Sequence, residues 1–361
     1  MFTDEDYPSV PYPGRRPAGS FVHDDATGWG LAPHPAGWRL TDGPDLDDWL
    51  AARDAAPLAD RVPVLCYGSN VCPSKLTWLR HTLGLPGPAV LLHARCTGIA
   101  AVWASGLRVV DDQRPATLAA LPGNTEDHAV WLATPEQVAV LDRCEGRGER
   151  YRLVRVDTGE VRLMDSRDGT VGTVVDGPLA YTATPPPRQA RLSRLPLLVD
   201  GTLVRCADVP QSGAAALVGE PAEDDGLAVR ELSGAPDPAE HPGRLFVYGT
   251  LQPDASDWWR LEPHATGEPR PAALPGTLFD TGLGYPALRL GNGPGVSGWV
   301  VDLAEPAAAL STMDDYEGAE YRRVRVSLPG GPLCWTYVWI NPTAGLRMLT
   351  GPWGSANASR R

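Results

Sequence analysis

The sequence predicts an α+β protein built from two successive strand-rich units with few helices. Three observations carry that expectation. A chain of 361 residues is long enough for two hydrophobic cores. Short apolar runs punctuated by glycine and proline outnumber helical patterns. One ordered set of signals also occurs twice, which is an internal repeat.

Residues 1–60 read as a Pro/Gly-rich extension that can hardly form a core alone, although Phe21, Trp29, Trp38 and Trp49 can pin it against the neighbouring unit. The first unit, 61–215, opens with the strand RVPVLCYGSN. The second, 244–345, opens with GRLFVYGTLQP. Each later carries a short apolar run, an acidic residue, Glu-Gly and a strand starting near a tyrosine: LDRCEGRGERYRLVRV in one, MDDYEGAEYRRVRVSL in the other. Residues 216–243 read as a linker because EDDGLAVRELSGAPDPAEHPG is polar and proline-bearing, and 346–361 read as a tail. GIAAVWAS, HAVWLAT, PLAYTAT, GVSGWVVDLA and CWTYVWI are further strands.

Helices are expected at three places. One runs from Pro73 through Leu76, Leu79 and Leu83. A second starts at Thr134, with Pro135 at its first position, Gln137 completing a capping box and Val138 and Leu141 on the apolar face. A third starts near Pro306, with Leu310 and Met313 on one face. Glu145-Gly146 and Glu317-Gly318 then fall where the last two helices end.

The net charge of -12 and sequence pI of about 5.0 argue against a protein that coats nucleic acid. No apolar stretch reaches bilayer length, so no membrane partner is expected. The amino terminus, MFTDEDYPSVPYPG, has acids and prolines where an export signal has a basic patch and apolar core; a cytoplasmic location is the expectation. The six cysteines form no C-x-x-C pair and read as reduced core thiols.

Two features point to chemistry. A glycine directly after a strand lets backbone N–H groups converge on an anion or a polarised carbonyl, and Ser69 or Thr250 adds a hydroxyl; an ordinary tight turn is the plainer reading. Glu145 and Glu317 near helix C-termini face the negative end of the dipole, and burial raises a carboxyl pKa the same way. The plainer reading of each is a solvated helix-end glutamate. Glu126, Glu149 and Glu320 rank lower, since none occupies the repeated position. A serine hydrolase is disfavoured because GVSGW around Ser297 lacks the final elbow glycine. A thiol enzyme needs a histidine beside Cys66 or Cys144, and His93 with Cys96 lacks zinc-site spacing.

The pairing of Y-G-[ST] after a first strand with an acidic run, Glu-Gly and a following tyrosine resembles the γ-glutamylcyclotransferase superfamily, including its γ-glutamylamine cyclotransferase branch. The resemblance implies two tandem domains, each a mixed or antiparallel small β-barrel with a few flanking helices. It implies an enzyme that releases 5-oxoproline from a γ-glutamyl amine, peptide or related conjugate, using one glutamate as acid and base, with no cofactor and no metal. Carried over, it assigns catalysis to Glu317 and Glu145. Substrate binding falls to Tyr248, Gly249, Thr250, Leu251, Tyr285, Tyr321, Arg323 and Tyr337 in the second unit, and to Tyr67, Gly68, Ser69 and Asn70 in the first. The first unit departs from the pattern at Tyr151-Arg152-Leu153, where the second has Tyr-x-Arg. The alternatives are a catalytically silent binding or scaffold protein of this fold, or one catalytic half beside one structural half. The acceptor amine and the oligomeric state stay open.

Overall fold

The structure is a computed structural model that describes residues 1–34, 37–164, 171–184, 193–329 and 331–354. In the first unit β4 (Val62–Cys66) leads through the Tyr67-Gly68 loop to α1 (Pro73–Leu83). The long strands β5 (Ala89–Trp103) and β6 (Ala116–Ala133), α2 (Pro135–Glu145), β7 (Tyr151–Val156) and β8 (Leu179–Ala183) come next. β4 pairs antiparallel with β6 and parallel with β8, giving the order β5-β6-β4-β8-β7.

The second unit repeats this arrangement. Its strands are β10 (Arg244–Val247), β11 (Ala265–Leu274), β12 (Gly276–Asp280), β13 (Pro286–Leu290) and β14 (Val296–Leu303), then α3 (Pro306–Glu317), β15 (Tyr321–Ser327), β16 (Leu333–Trp339) and β17 (Arg347–Leu349). β10 pairs antiparallel with β14 and parallel with β16, and the order is β11-β14-β10-β16-β15. In both units a helix links the second strand of that order to the last.

The expected small β-barrels do not form: among the described residues no sheet closes on itself, and the strands lie in several open sheets, the two largest of them mixed. In the first unit both flanks of the five-strand core are occupied. β2 (Phe21–Asp24) pairs with β5, and β9 (Val229–Glu231) pairs with β7, so the outer strands cannot meet. The amino-terminal segment thus extends this sheet through β1 (Phe2–Thr3), β2 and β3 (Thr27–His34). In the second unit β11 carries Pro269 and Pro271, which have no N–H to donate, and it lies at a sheet edge. β12, β13 and β17 form a separate three-stranded sheet.

Each five-strand core buries both faces, and alternation along the central strand sorts the side chains. Leu245 and Val247 of β10 pack under α3 with Leu310, Met313 and Trp335. Phe246 and Tyr248 pack on the opposite face with Leu278, Leu288 and Val326. β4 behaves alike: Val62, Val64 and Cys66 meet Leu76, Leu79 and Leu141, while Leu65 and Tyr67 face the other way. The capping box is present, with Thr134 Oγ1 accepting the Gln137 N–H at 3.3 Å. The six cysteines are free thiols, four of them buried. Among the described residues no helix is long and apolar enough to cross a membrane.

Arg325 on β15 joins the units. Its guanidinium donates to the carbonyls of Leu58 (2.6 Å), His241 (2.8 Å) and Pro238 (3.0 Å). Arg244 adds pairs with Asp176 and with Asp302, the latter at 3.0 Å. Replacing Arg325 by methionine leaves three carbonyls without their charged donor. The expected loss, roughly 2–5 kcal/mol, is to be read from urea unfolding monitored by tryptophan fluorescence. A change below about 0.5 kcal/mol contradicts this role.

Candidate active site

The β10 loop and the end of α3 meet at one cavity of about 210 Å³. Its lining includes Tyr248, Gly249, Thr250 and Leu251 from the loop, Tyr285 and Pro286 from the start of β13, and Tyr316, Glu317, Glu320 and Tyr321 from the α3–β15 turn. Tyr337 of β16 closes the floor. The second unit's predicted residues therefore converge, with one exception. Arg323 lies outside the lining, pairs with Asp314 at 3.3 Å and stacks over Trp335 at 4.8 Å.

Local geometry explains the loop. Pro286 approaches so closely that a Cβ on Gly249 would stand 3.1 Å from its ring, so any larger residue there would press on the proline by a few tenths of an ångström. The backbone N–H groups of Gly249, Thr250 and Leu251 have no backbone acceptor among the described residues. All three residues line the cavity. Tyr248 is buried and donates its hydroxyl to the Tyr337 carbonyl at 2.7 Å, fixing the loop's first residue to β16.

The helix end is fixed in turn. Tyr337 donates its hydroxyl to Asp314 Oδ1 at 2.8 Å. Asp314 sits one turn before Glu317 on the same side of α3. Gly318, at φ +66°, ends the helix just beyond Glu317. Burial, and then the neighbouring Asp257 and Asp314 carboxylates, push the Glu317 carboxyl up to about 8. Tyr316 shares a hydrogen bond with Thr250 at 2.9 Å, and Tyr285 donates to Glu320 Oε2 at 2.7 Å. Tyr321 donates to the Pro286 carbonyl at 2.7 Å. The Glu317 carboxyl thus shares a small, tyrosine-lined cavity with three loop residues whose N–H groups have no backbone acceptor among the described residues. Among the described residues no three His, Cys, Asp or Glu side chains are grouped to hold a metal ion.

The first unit repeats the framework but fills the space. Tyr67 donates to the Tyr181 carbonyl, Tyr181 donates to Asp142 Oδ1 at 2.7 Å, and Tyr151 donates to the Ala116 carbonyl at 3.0 Å. These bonds correspond one for one to those of Tyr248, Tyr337 and Tyr321. Arg147 holds Asp142 at 3.0 Å, the service Arg323 gives Asp314. Around Glu145, however, Asn70 donates its amide to Oε1 at 2.9 Å. Ser69 and Asn70 form a single 3-10 turn that leads toward α1.

Sequence reasoning missed Tyr316, Asp314 and Asp142, and ranked Glu320 low. A signal existed for the aspartates: both repeats carry Asp three residues before the glutamate, the spacing that puts two side chains on one helical face. Nothing in the sequence marks Glu320 as a cavity residue, because its place there depends on Tyr285, thirty-five residues away.

Residues 245–355 match the family model described as Gamma-glutamyl cyclotransferase, AIG2-like. The gamma-L-glutamyl-butirosin B gamma-glutamyl cyclotransferase of Niallia circulans is 34% identical over 103 residues, which are 26% of this chain and 65% of that protein. The chain thus spans 65% of the length of the curated relative that it matches. Two solved structures are also similar. The solution structure of protein ytfP from Escherichia coli is 27% identical, covering 32% of this chain and 98% of its own, with a TM-score of 0.24. YkqA from Bacillus subtilis is 14% identical, covering 70% of this chain and 76% of its own, with a TM-score of 0.23. The cyclotransferase-like region contains all of the cavity's lining residues.

The raised Glu317 pKa has a consequence for stability. In the unfolded chain this carboxyl loses its proton near 4.5, whereas in the folded chain it holds the proton up to about 8. Its contribution is complete below about pH 4.5 and is lost progressively as the pH rises to about 8. Glu317→Gln removes the ionisation, so its stability relative to the parent should climb across that window. The expected plateau is on the order of 2–4 kcal/mol at about pH 9, measured as paired unfolding curves at a series of pH values. A difference independent of pH contradicts the assignment.

Proposed function

We propose that the second unit is a γ-glutamylcyclotransferase that releases 5-oxoproline from a γ-glutamyl amine, with Glu317 as the acid and base. The observation that carries this reading is the cavity itself, which the half-buried Glu317 carboxyl, pushed up to about 8, shares with Gly249, Thr250 and Leu251, whose N–H groups have no backbone acceptor among the described residues. The family match of residues 245–355 supports the reaction class.

In the reaction the substrate's α-nitrogen attacks its own γ-carbonyl carbon, forming the lactam C–N bond. The bond from that carbon to the leaving amine breaks. Glu317 takes a proton from the α-ammonium and passes it to the leaving amine, and the attacking nitrogen's second proton follows as the lactam forms, so the products are 5-oxoproline and the released amine as its ammonium ion, with no water consumed. With its carboxyl pushed up to about 8, Glu317 lies closer to an α-ammonium than an ordinary carboxyl does, which lowers the cost of the first transfer. Held in a ring-closing geometry the attack is intramolecular, and the loop N–H groups stabilise the oxyanion. Tyr285, Tyr316 and Tyr321 wall the substrate, and Arg323 acts through Asp314 as a positioning residue.

The first unit is read as a second copy of the same domain. Its identical strand order and its matching Tyr67, Tyr181 and Tyr151 bonds support this. Because Asn70 occupies Glu145 and the space before it is filled, the reading places turnover in the second unit, with the first as a structural half.

Incubation with a panel of γ-glutamyl amines, dipeptides and isopeptides, followed by mass spectrometry of 5-oxoproline, tests this. Glu317→Gln should lower product formation by roughly 100-fold or more, the scale of a lost acid–base group, and Glu145→Gln should leave it within about twofold. Comparable losses from both substitutions refute the division of labour. No product from any panel member, with the fold intact, favours a silent binding protein.

A further inference from the structure

We propose that the first unit holds a latent second γ-glutamyl-binding site, kept shut by the protein's own amino-terminal segment, with Tyr12 seated where a ligand would lie. This rests on the reading of the second cavity as a γ-glutamyl site. The framework residues of the two sites superpose in role: Tyr67 with Tyr248, Gly68 with Gly249, Glu145 with Glu317, Tyr151 with Tyr321, and Ala116 with Pro286 as the carbonyl that the last tyrosine binds.

That last pair is where the sites part. Pro286 has no N–H, and its ring packs on Gly249. Ala116 keeps its N–H and donates it to the Tyr12 hydroxyl at 3.1 Å. Tyr12 lies over Gly68 so closely that a Cβ there would stand 2.9 Å from its hydroxyl oxygen. Its own N–H donates to Gln113 Oε1 at 2.9 Å. The strap is fastened on both sides of Tyr12: Arg16 donates to the Tyr67 carbonyl at 3.4 Å, and Ser74 donates to the Tyr7 carbonyl at 2.6 Å. Burial raises the Tyr12 phenol well above its ordinary range, so it sits beside Glu145 as a neutral hydroxyl.

Beneath the strap the polar groups are not all satisfied. Asn70 gives its amide to Glu145, but its Oδ1 is buried with no hydrogen-bond partner. An orphaned carbonyl oxygen beside a carboxylate is an acceptor pair suited to an α-ammonium. Tyr12 brings no ammonium there, so the strap blocks the space without supplying that donor. A γ-glutamyl group carries one.

The test uses the full chain with Glu317→Gln to prevent turnover, and γ-L-glutamylmethylamide as the probe in isothermal titration. A protease site inserted between the exposed residues Ala18 and Gly19 lets the protein fold before the strap is cut. Cutting removes the tether and its high effective concentration, so the probe can displace the strap. The expected result is one further equivalent bound after cleavage, with release of the 1–18 peptide. Tyr12→Ala in the uncut chain should give the same additional equivalent. Adding Gly68→Val to the opened protein should abolish it. The baseline before opening reports on the second cavity alone, so a count rising from none to one supports this proposal even where the reading of that cavity fails. A folded, cleaved protein that binds no additional probe overturns it, as does an added equivalent that survives Gly68→Val.

Discussion

Glu317 stands where it does because Asp314, one helical turn earlier, is anchored to the sheet. The Tyr337 hydroxyl reaches Asp314 from β16, and Arg323 reaches it from β15. Tyr337 also offers its carbonyl to Tyr248, so a single residue ties the helix end and the loop start to one strand. Loop donors and carboxyl are set by adjacent strands of a rigid sheet, with little left to loop flexibility. The same construction around Tyr181 in the first unit holds Glu145 in the corresponding place. Tyr337 is buried, and burial followed by the Asp314 carboxylate drives its phenol far up, so it stays protonated and keeps donating.

Such an anchor lets the site keep an unfavourable group. A carboxyl held in a half-closed cavity with Asp257 and Asp314 nearby is costly to ionise. Without the tyrosine and arginine bonds on Asp314, the helix end would gain by fraying and letting Glu317 reach water. The energy that keeps Glu317 in place is therefore supplied by Leu310, Met313 and Trp335 packing under α3, together with the anchor. The site is destabilising locally and is carried by the core around it.

Much of this was legible in the sequence because it is local. Thr134, Pro135 and Gln137 announce α2, and Gly146 and Gly318 announce both helix ends, since caps and left-handed residues act within a few positions. The common strand order was foreshadowed because the central strand, its loop glycine and the glutamate come in the same sequence in both units. Barrel closure was not legible. It depends on which strands reach the outer edges, and β2 and β9 come from segments that read as an extension and a linker. Short strands such as Val229–Glu231 have no period of their own and form only because an edge is offered. The role of Tyr12 was hidden for the same reason, since its partners Ala116 and Gln113 lie about a hundred residues away.

The two units share a strand order and a tyrosine anchor and differ at the mouth of the site. Both keep the tyrosine anchor, the loop glycine and the helix-end glutamate, and these are the parts the sheet geometry demands. What differs lies at the mouth of the site. Proline at 286 removes a donor and leaves its ring against the loop glycine, so the cavity stays open to solvent. Alanine at 116 leaves a donor that must be satisfied, and Tyr12 satisfies it. Once Tyr12 is seated, β1, β2 and β3 can continue the sheet, and the added strands bury Phe21, Val22 and Trp49 against the first core. The larger first unit then offers Leu58 to Arg325, and the second unit, whose own five-stranded sheet is small, gains a docking partner across β15.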